Sequence, residues 1–204
     1  IHILHNTRSS WGGTVKFIFQ PGEEKLPGGA SIIINEGVLS NPKPDIIIGQ
    51  HVQPNMEAGT AGICPGNSMA SCDEIYITIT GKGGHAAMPH LCIDPLLVAS
   101  HFLIASQSLI SKEKAPFAPA VLSFGKMNTL GGATNIIPDQ IQLEGTLRCM
   151  DENLRNQLWA RIEELLKGQC AAFGAEYLLR IEKGYPCLIN NASAAEKWAE
   201  LASD

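Results

Sequence analysis

Residues 75–80 read Ile-Tyr-Ile-Thr-Ile-Thr, and the glycine-rich segment Gly-Lys-Gly-Gly-His follows them at 81–85. Apolar and polar side chains alternate through the first six positions. This alternation predicts a β-strand with one buried face and one wetter face. The character of the sequence changes at this strand, because the apolar runs before residue 70 are more uniform.

More helices and strands are predicted downstream of this strand, up to residue 183. The strands are expected over 119–127, 139–149 and 175–183, and the helices over 94–111 and 152–172. Asp151 is placed to cap the second helix and Gly174 to end it. The resulting order over 71–183 is β-α-β-β-α-β, which is typical of a split βαβ, ferredoxin-like unit.

The apolar residues of these elements predict their buried faces. In the strand over 139–149 they are Ile141, Leu143 and Leu147. In the first helix, the expected core positions are Leu96, Leu97, Ala99, Leu103, Ile104 and Leu109. In the second helix, helical spacing is kept by Leu154, Leu158, Ile162, Leu165 and Leu166.

The sequence before residue 70 predicts a different kind of sheet. Two nearly continuous apolar runs, 14–20 and 45–50, flank a predicted helix over 28–37. This pattern is typical of parallel strands that are covered on both faces. We therefore expect an α/β fold, in which a partial parallel-sheet domain is interrupted by an inserted ferredoxin-like α+β domain. The domains are predicted at 1–70, 71–183 and 184–204, the last returning to the first domain with a helix over 193–202.

Composition limits the class of protein. Of the 204 residues, 45% are hydrophobic and 17% charged, and the net charge is −5. These values exclude a disordered chain, and no basic cluster indicates a nucleic-acid surface. The six cysteines include no Cys-x-x-Cys pair, which favours reduced thiols and a cytoplasmic location. No apolar run is long enough to cross a membrane. Because the chain begins at Ile1, we interpret it as a fragment.

Glu23 and Glu24 form the first candidate site. They follow the apolar run 14–20, and ligands of open parallel sheets bind beyond the carboxyl ends of strands. Adjacent carboxylates repel each other, so a site that holds both is stabilised by a cation. The same pair is also typical of a solvated acidic turn.

His51 follows the second apolar run, 45–50, and is expected at the same sheet edge as the glutamates. Imidazole and carboxylate are common zinc ligands. This placement favours a metal site, although two or three ligands are too few to close one.

Three further residues are candidates, His85 for catalysis and Asn135 and Arg148 for substrate binding. His85 lies on the glycine-rich loop, where it is placed to donate to an oxyanion. Asn135 and Arg148 supply an amide and a guanidinium, which are suited to holding a carboxylate. His85 and Arg148 also have structural interpretations, as a loop histidine and as an exposed charge at a strand end.

Five segments together resemble a known family. They occur in the following order: Phe-Gln-Pro-Gly-Glu-Glu (19–24), Gly-Gln-His-Val-Gln-Pro (49–54), Gly-Lys-Gly-Gly-His-Ala-Ala-Met-Pro-His (81–90), Asn-Ile-Ile-Pro-Asp (135–139) and Gly-Thr-Leu-Arg (145–148). This set is similar to the zinc-dependent aminoacylase/carboxypeptidase family of metallopeptidases. The branch that it resembles most includes hippurate hydrolases, N-acyl-amino-acid deacetylases and auxin-conjugate hydrolases.

The resemblance implies a role for each candidate. Glu23 matches the general base, and Glu24 and His51 match metal ligands. His85 matches a lid histidine that reaches into the partner subunit's active site. Asn135 and Arg148 match lid groups that hold the substrate's carboxylate.

The resemblance also implies the reaction, the cofactor and the assembly. We expect a metal-activated water to hydrolyse the amide bond of N-acyl amino acids or related small conjugates. The metal is expected to be two zinc ions, with manganese or cobalt as alternatives. The inserted domain is expected to act as a lid and to form a homodimer, and no nucleic-acid or membrane partner is expected.

The chain also departs from the family pattern. The family's His-x-Asp segment, its Cys-Gly-His-Asp segment and its late histidine do not occur in these residues. We therefore expect the 204 residues alone to be inactive. The alternative interpretation is a non-catalytic dimerisation or binding module built on the lid.

Overall fold

The structure is a computed structural model, which describes residues 1–24 and 28–203. Internal contacts divide the chain into two compact units, Ile1–Gly59 and Thr60–Asp204. The predicted domains, 1–70, 71–183 and 184–204, have other boundaries than these two units, and they stay a prediction.

In its described residues, the first unit contains two short helices, α1 (His2–Asn6) and α2 (Gly29–Asn35), and a 3₁₀ turn at Arg8–Ser10. The helix predicted over 28–37 is therefore confirmed. Gly37 has a φ of +84°, a left-handed conformation that glycine adopts without the strain of a side chain. Lys16 Nζ donates to the carbonyl oxygens of Val38 and Asn41, at 2.5 and 2.9 Å, and so fixes the segment that follows α2.

The prediction of two parallel strands in this unit is wrong for the described residues. Neither 14–20 nor 45–50 is a strand, and Phe19 is 81% exposed. Ile46, Ile47 and Ile48 are also largely exposed. A strand needs a neighbour to pair its backbone groups, and a parallel strand needs cover on both faces. Within the described part of residues 1–59, neither run has such a neighbour.

The second unit contains eight strands and three helices within the described residues. In chain order they are β1 (Gly66–Met69), β2 (Asp73–Thr80), β3 (Gly84–His85), α3 (Pro95–Ser108), β4 (Ala120–Leu130), β5 (Ile136–Ile137), β6 (Gln140–Cys149), α4 (Glu152–Phe173), β7 (Glu176–Lys183), β8 (Leu188–Asn190) and α5 (Ala192–Leu201). A π-helical turn, Leu109–Glu113, extends α3. The strands and helices predicted over 71–202 are confirmed.

The main sheet has four antiparallel strands in the order β4-β6-β2-β7. One face packs against α3 and α4, and the other face has no helix on it in the described part of the chain. The covered face carries the buried side chains that the alternation predicts, among them Ile75, Ile77, Ile79, Ile141, Leu143 and Leu147. The side chains between them in sequence therefore lie on the open face.

Local signals fix the ends of the long helix α4. The Asp151 side chain accepts a hydrogen bond from the Leu154 amide at 2.7 Å, which confirms the predicted cap. Gly174 ends the helix with a φ of +73°. Leu158, Ile162 and Leu166 are buried against the sheet.

The predicted core face of α3 needs a correction. Leu97 and Ile104 were expected in the core but are 47% and 75% exposed. The buried side is centred on Val98, Phe102 and Leu109. Because α3 is apolar on nearly all sides, its sequence does not distinguish the side that packs on the sheet.

A buried ion pair joins β2 to α4. The Asp73 side chain is 0% exposed and that of Arg155 is 4% exposed. Arg155 donates from Nη2 to Asp73 Oδ1 at 2.5 Å and from Nε to Oδ2 at 2.9 Å. Trp159 Nε1 donates to the same carboxylate at 2.9 Å, and the Gly184 amide at 3.2 Å. Both charges are therefore compensated by direct hydrogen bonds, as buried charges require.

The same network holds the segment that leaves the sheet after β7. Arg155 Nη2 donates to the Gly184 carbonyl at 3.1 Å, and Glu152 accepts from the Cys187 amide at 2.9 Å. The pKa of the Glu152 carboxyl is lowered, first by the Cys187 amide and then by the guanidinium of Arg155. Residues 184–187 are therefore bound to the first turn of α4.

The segments that enter and leave the sheet run side by side. β1 and β8 pair antiparallel, with Gly66 opposite Asn190. Asn190 Nδ2 donates to the Cys64 carbonyl at 2.8 Å, and Asn67 Nδ2 donates to the Met150 carbonyl at 3.0 Å. Both connections therefore meet at the end of the sheet where β6 turns into α4.

The six cysteines are free. Burial raises the pKa of the Cys149 and Cys170 thiols to about 11, so both are protonated at neutral pH and behave as small core residues. Cys64 is exposed. Among the described residues, no helix is both long enough and apolar enough to cross a membrane.

We predict that Arg155→Met lowers the free energy of unfolding by about 3–5 kcal/mol, because it leaves the buried Asp73 carboxylate without its counter-charge. Urea denaturation of the intact protein measures the change. Arg161→Met on the same helix is the matched control, since Arg161 pairs with Glu113 at 2.7 Å on the exposed surface. Equal losses in the two variants would contradict the assignment of the buried pair as the main anchor.

Candidate active site

Glu23 and Glu24 lie in an exposed turn of the first unit, after Pro21 and Gly22. Gly22 has a φ of +56°, so the backbone reverses just before the two carboxylates. The structure therefore places both acidic side chains where solvent and ions reach them.

His51 is also exposed in the first unit, and its hydrogen bond assigns its tautomer. Nδ1 lies 2.6 Å from the Val52 carbonyl oxygen, an acceptor only. Nδ1 must therefore carry the proton, which leaves the lone pair on Nε2. Metal-binding histidines commonly donate their other ring N–H to a backbone carbonyl in this way.

The donor types at Glu24 and His51 fit a divalent metal such as zinc, since carboxylate oxygen and neutral imidazole nitrogen are both zinc ligands. Within residues 1–24 and 28–203, no group of three or more His, Cys, Asp or Glu side chains is arranged to hold an ion.

His85 is held on a tightly packed loop at one end of the four-stranded sheet. A Cβ on Gly81 would meet the Ile93 carbonyl oxygen at 2.1 Å, and a Cβ on Gly83 would meet the Ile137 carbonyl oxygen at 2.5 Å. Only glycine therefore fits at these positions. β3 then pairs His85 with Ile136.

The ring of His85 has the opposite tautomer to that of His51. Its Nδ1 accepts a hydrogen bond from the Ala87 amide at 3.1 Å. Nδ1 of the neutral ring is therefore unprotonated, and Nε2 carries the proton. The exposed Nε2–H of His85 is a hydrogen-bond donor, whereas Nε2 of His51 is an acceptor or ligand.

Asn135 lies beside His85. The Asn135 carbonyl accepts from the Ala86 amide at 2.9 Å, next to the pairing of β3 with β5. Gly131 and Gly132 form the preceding turn with φ values of +81° and +91°. The predicted catalytic residue His85 and the predicted substrate-binding residue Asn135 are therefore brought together.

Arg148 lies at the opposite end of the sheet. β6 pairs Gln140 with Thr80, directly before the His85 loop, and Arg148 lies eight residues further along. At about 3.4 Å per residue this is about 27 Å. The structure does not bring Arg148 to His85 and Asn135 within one chain.

The guanidinium of Arg148 is exposed, and no described side chain bonds to it. The other four arginines all have partners. Arg8 stacks on Trp11 at 4.3 Å, Arg155 binds Asp73, Arg161 binds Glu113, and Arg180 stacks on Tyr76 at 4.0 Å. Arg148 is thus the arginine that is available to an external anion.

A shallow cavity of about 320 Å³ lies on the open face between these two ends, and its charged groups are already paired. Glu144 binds Lys126 at 2.6 Å, and Arg180 binds Glu182. The pKa of the Tyr76 hydroxyl is raised, mainly by its hydrogen bond to Glu74. None of the predicted site residues lines this cavity.

Comparison with known proteins identifies the family. The model of peptidase family M20/M25/M40 matches residues 1–204. The chain belongs to this family, whose members are hydrolases.

Named relatives of the M20 chain include two enzymes. An N-acyl-L-amino acid amidohydrolase from Geobacillus stearothermophilus is 37% identical over 188 residues, which cover 92% of this chain and 50% of that protein. An N-acetyl-L-cysteine deacetylase from Bacillus subtilis is 37% identical over 190 residues, covering 93% of this chain and 44% of that protein. The chain spans about half the length of the curated relatives it matches.

A solved relative of the M20 chain is the YxeP protein of Bacillus subtilis, described as a dinuclear metal-binding peptidase. It is 30% identical, with a TM-score of 0.76, and the match covers 98% of this chain and 49% of that one. The resemblance inferred from the five segments is confirmed, and these relatives favour the amidohydrolase interpretation over the non-catalytic module.

Sequence reasoning assigned no role to Asp139, which positions the His85 loop of the M20 chain. Its Oδ1 accepts from the Gly83 amide at 2.9 Å, and its carbonyl accepts from Gly81 at 2.8 Å. In the sequence, a carboxylate next to Pro138 at the start of a strand is only a weak signal for this role. The structure shows that Asp139 lies against the glycine-rich loop.

We predict that Gly83→Ala loosens the His85 loop. The new Cβ forces the backbone away from Ile137, which costs about 1–3 kcal/mol of stability and speeds hydrogen exchange at the Ala86 amide. Gly168→Ala is the control, because that helical position has open space around it and should gain about 0.5–1 kcal/mol. Unchanged exchange at Ala86 in the Gly83→Ala protein would show that the loop is not held by this packing.

Proposed function

We propose that the protein containing this chain is a metal-dependent amidohydrolase that cleaves the amide bond of N-acyl amino acids or related small conjugates. The observation that carries the proposal is the opposite tautomers of His51 and His85. One histidine presents a lone pair, as a ligand does, and the other presents an N–H, as an oxyanion donor does. Membership of the M20 family and the names of the relatives support the same reaction.

Glu24 and His51 are the residues that we assign to the metal. Two divalent ions are proposed, by analogy with the dinuclear relative, and zinc, manganese or cobalt suits these ligands. When bound, the metal would activate a water molecule and polarise the scissile carbonyl. Glu24 and His51 hold their donor atoms in exposed positions where such ions can bind.

Glu23 is proposed as the general base. Its carboxylate would take a proton from the attacking water and deliver it to the nitrogen of the leaving amine. Glu23 is adjacent to Glu24 in sequence, so the proposed base stays close to the proposed metal ligand. This closeness would keep the base beside the reacting carbonyl of the substrate.

His85, Asn135 and Arg148 are proposed to bind the substrate. The Nε2–H of His85 would donate to the oxyanion of the tetrahedral intermediate. The unpaired guanidinium of Arg148 suits the carboxylate of an amino acid, since the two form parallel hydrogen bonds. The Asn135 amide would add a further donor beside His85.

The separation between His85 and Arg148 supports a homodimer. An N-acyl amino acid is much shorter than the roughly 27 Å between the two ends of the sheet, estimated from strand geometry. His85 and Arg148 of one chain would therefore serve two different substrate molecules. In a dimer, His85 would reach the active site of the partner subunit.

The second unit offers a surface for this dimer. β4 is an edge strand, so one side of its backbone has no ladder partner in the described sheet. Leu130 on β4 and Leu97 and Ile104 on α3 are exposed apolar residues. These features support the proposal that residues 71–183 form an inserted ferredoxin-like lid that mediates dimerisation. Six free cysteines are in keeping with a cytoplasmic location.

Glutamate variants of the intact protein separate the base from the ligand. We predict that Glu23→Gln keeps its metal but lowers kcat at least about 100-fold, because the proton acceptor is lost. Glu24→Ala is predicted to lose metal, measured by elemental analysis after dialysis. Glu36→Gln, an exposed acid in the same unit, should change neither property. Full activity of Glu23→Gln would remove the base assignment, and full metal occupancy of Glu24→Ala would remove the ligand assignment.

Mixed dimers test whether His85 acts across the subunit boundary. We predict that Glu23→Gln and His85→Ala proteins are each inactive but recover about a quarter of wild-type activity after subunit exchange, since half the dimers are mixed and each has one complete site. A mixture of Glu23→Gln with Glu24→Ala is the control. It should not recover activity, because each subunit of a mixed dimer then has its own metal-binding site inactivated. Native mass spectrometry verifies that mixed dimers form. Mixed dimers without activity would show that His85 does not serve the partner's site.

A further inference from the structure

Two uncharged side chains flank Arg148 on the open face of the sheet. On one side, β4 pairs Val121 directly with Arg148. On the other side, Asp73 pairs with Leu147, and the Ser71 amide donates to the Cys149 carbonyl at 2.8 Å. These two contacts place Cys72 opposite Arg148.

In the row Val121–Arg148–Cys72, the two side chains beside Arg148 are uncharged and reachable from solvent. Val121 is 52% exposed and Cys72 is partly exposed. The next row along the sheet contains the carboxylates of Glu74 and Glu182, which face each other across β2 and β7. Arg148 therefore has two uncharged neighbours, Val121 and Cys72, and two carboxylates lie one row further along the sheet.

The lengths of these side chains leave space above Val121 and Cys72. An arginine side chain is several bonds longer than valine or cysteine, so a carboxylate bound to its guanidinium stands above both neighbours. A side chain on the carbon next to that carboxylate can then reach down to Val121 and Cys72. An apolar side chain would lose water in this position, whereas an acidic one would approach Glu74 and Glu182.

We propose that Val121 and Cys72 are specificity-determining residues that contact the amino-acid side chain of the substrate and select apolar over acidic side chains. The inference rests on the proposed function, since it requires Arg148 to bind the substrate's carboxylate. It goes further by naming the class of amino acid: leucine-like or methionine-like, with aspartate disfavoured.

The test compares kcat/KM for N-acetyl-L-leucine, N-acetyl-L-aspartate and N-acetylglycine with the intact protein. Wild type should prefer leucine to aspartate by at least about 100-fold. Val121→Thr keeps a β-branched side chain, and so keeps the strand, but adds a hydroxyl. It should lower the leucine-to-glycine ratio by about 10-fold without changing kcat/KM for N-acetylglycine, which has no side chain. Cys72→Ser should shift the ratio in the same direction.

Two controls keep this inference separate from the proposed function. Leu178→Ala changes an exposed apolar residue on the same face, three rows or about 20 Å away, and should leave the ratio unchanged. Arg148→Met should raise KM for every substrate. If Arg148→Met has no effect, the carboxylate assignment itself fails. If it acts as expected while Val121→Thr and Cys72→Ser keep the wild-type ratio, only the specificity assignment is overturned.

Alkylation of Cys72 provides a second readout that needs no substitution of Val121 or Cys72. In a Cys64→Ser, Glu23→Gln background, where neither the exposed thiol nor turnover interferes, iodoacetamide labelling of Cys72 is followed by mass spectrometry. Saturating N-acetyl-L-leucine should slow labelling of Cys72 at least about threefold more than saturating N-acetylglycine does, because only the leucine side chain covers the thiol. Equal protection by the two ligands would contradict the contact.

Discussion

The buried ion pair between Asp73 and Arg155 is the interaction on which the second unit depends. It lies at the start of the central strand β2, where an unpaired carboxylate would be strongly destabilising. Four donors on α4 and on Gly184 satisfy it, so one carboxylate fixes the helix, the sheet and the departing segment together. The segment that leaves the sheet after β7 is consequently held at the end where Arg148 projects.

The remaining polar groups of the sheet divide according to what binds them. In the middle of the open face, charges pair with one another, as Lys126 does with Glu144. At the two ends, the guanidinium of Arg148 and the Nε2–H of His85 are left available by the described residues. Tight packing of Gly81 and Gly83 makes the His85 end rigid. Such fixed, unpaired donors are what binding and oxyanion stabilisation require.

Much of this could be predicted from sequence where a local signal decides the structure. The alternation at 75–80, the Asp151 cap and Gly174 each act within a few residues, and all three predictions hold. The strands at 14–20 and 45–50 fail because a strand depends on neighbours that the pattern does not contain. The exposed side of α3 and the partners of Asp73 are set by packing across more than 20 residues of sequence. The tautomers of His51 and His85 depend on single backbone contacts, so no sequence pattern reveals them.

His51 and His85 are proposed to perform opposite tasks, and their ring nitrogens provide the most direct test. Long-range ¹H–¹⁵N NMR spectra of the intact protein, recorded where both rings are neutral, report which nitrogen carries the proton. We predict the Nδ1–H tautomer for His51 and the Nε2–H tautomer for His85, with added zinc shifting Nε2 of His51 and leaving His85 unchanged. The same tautomer at both residues, or zinc bound at His85, would contradict the division between metal ligand and oxyanion donor.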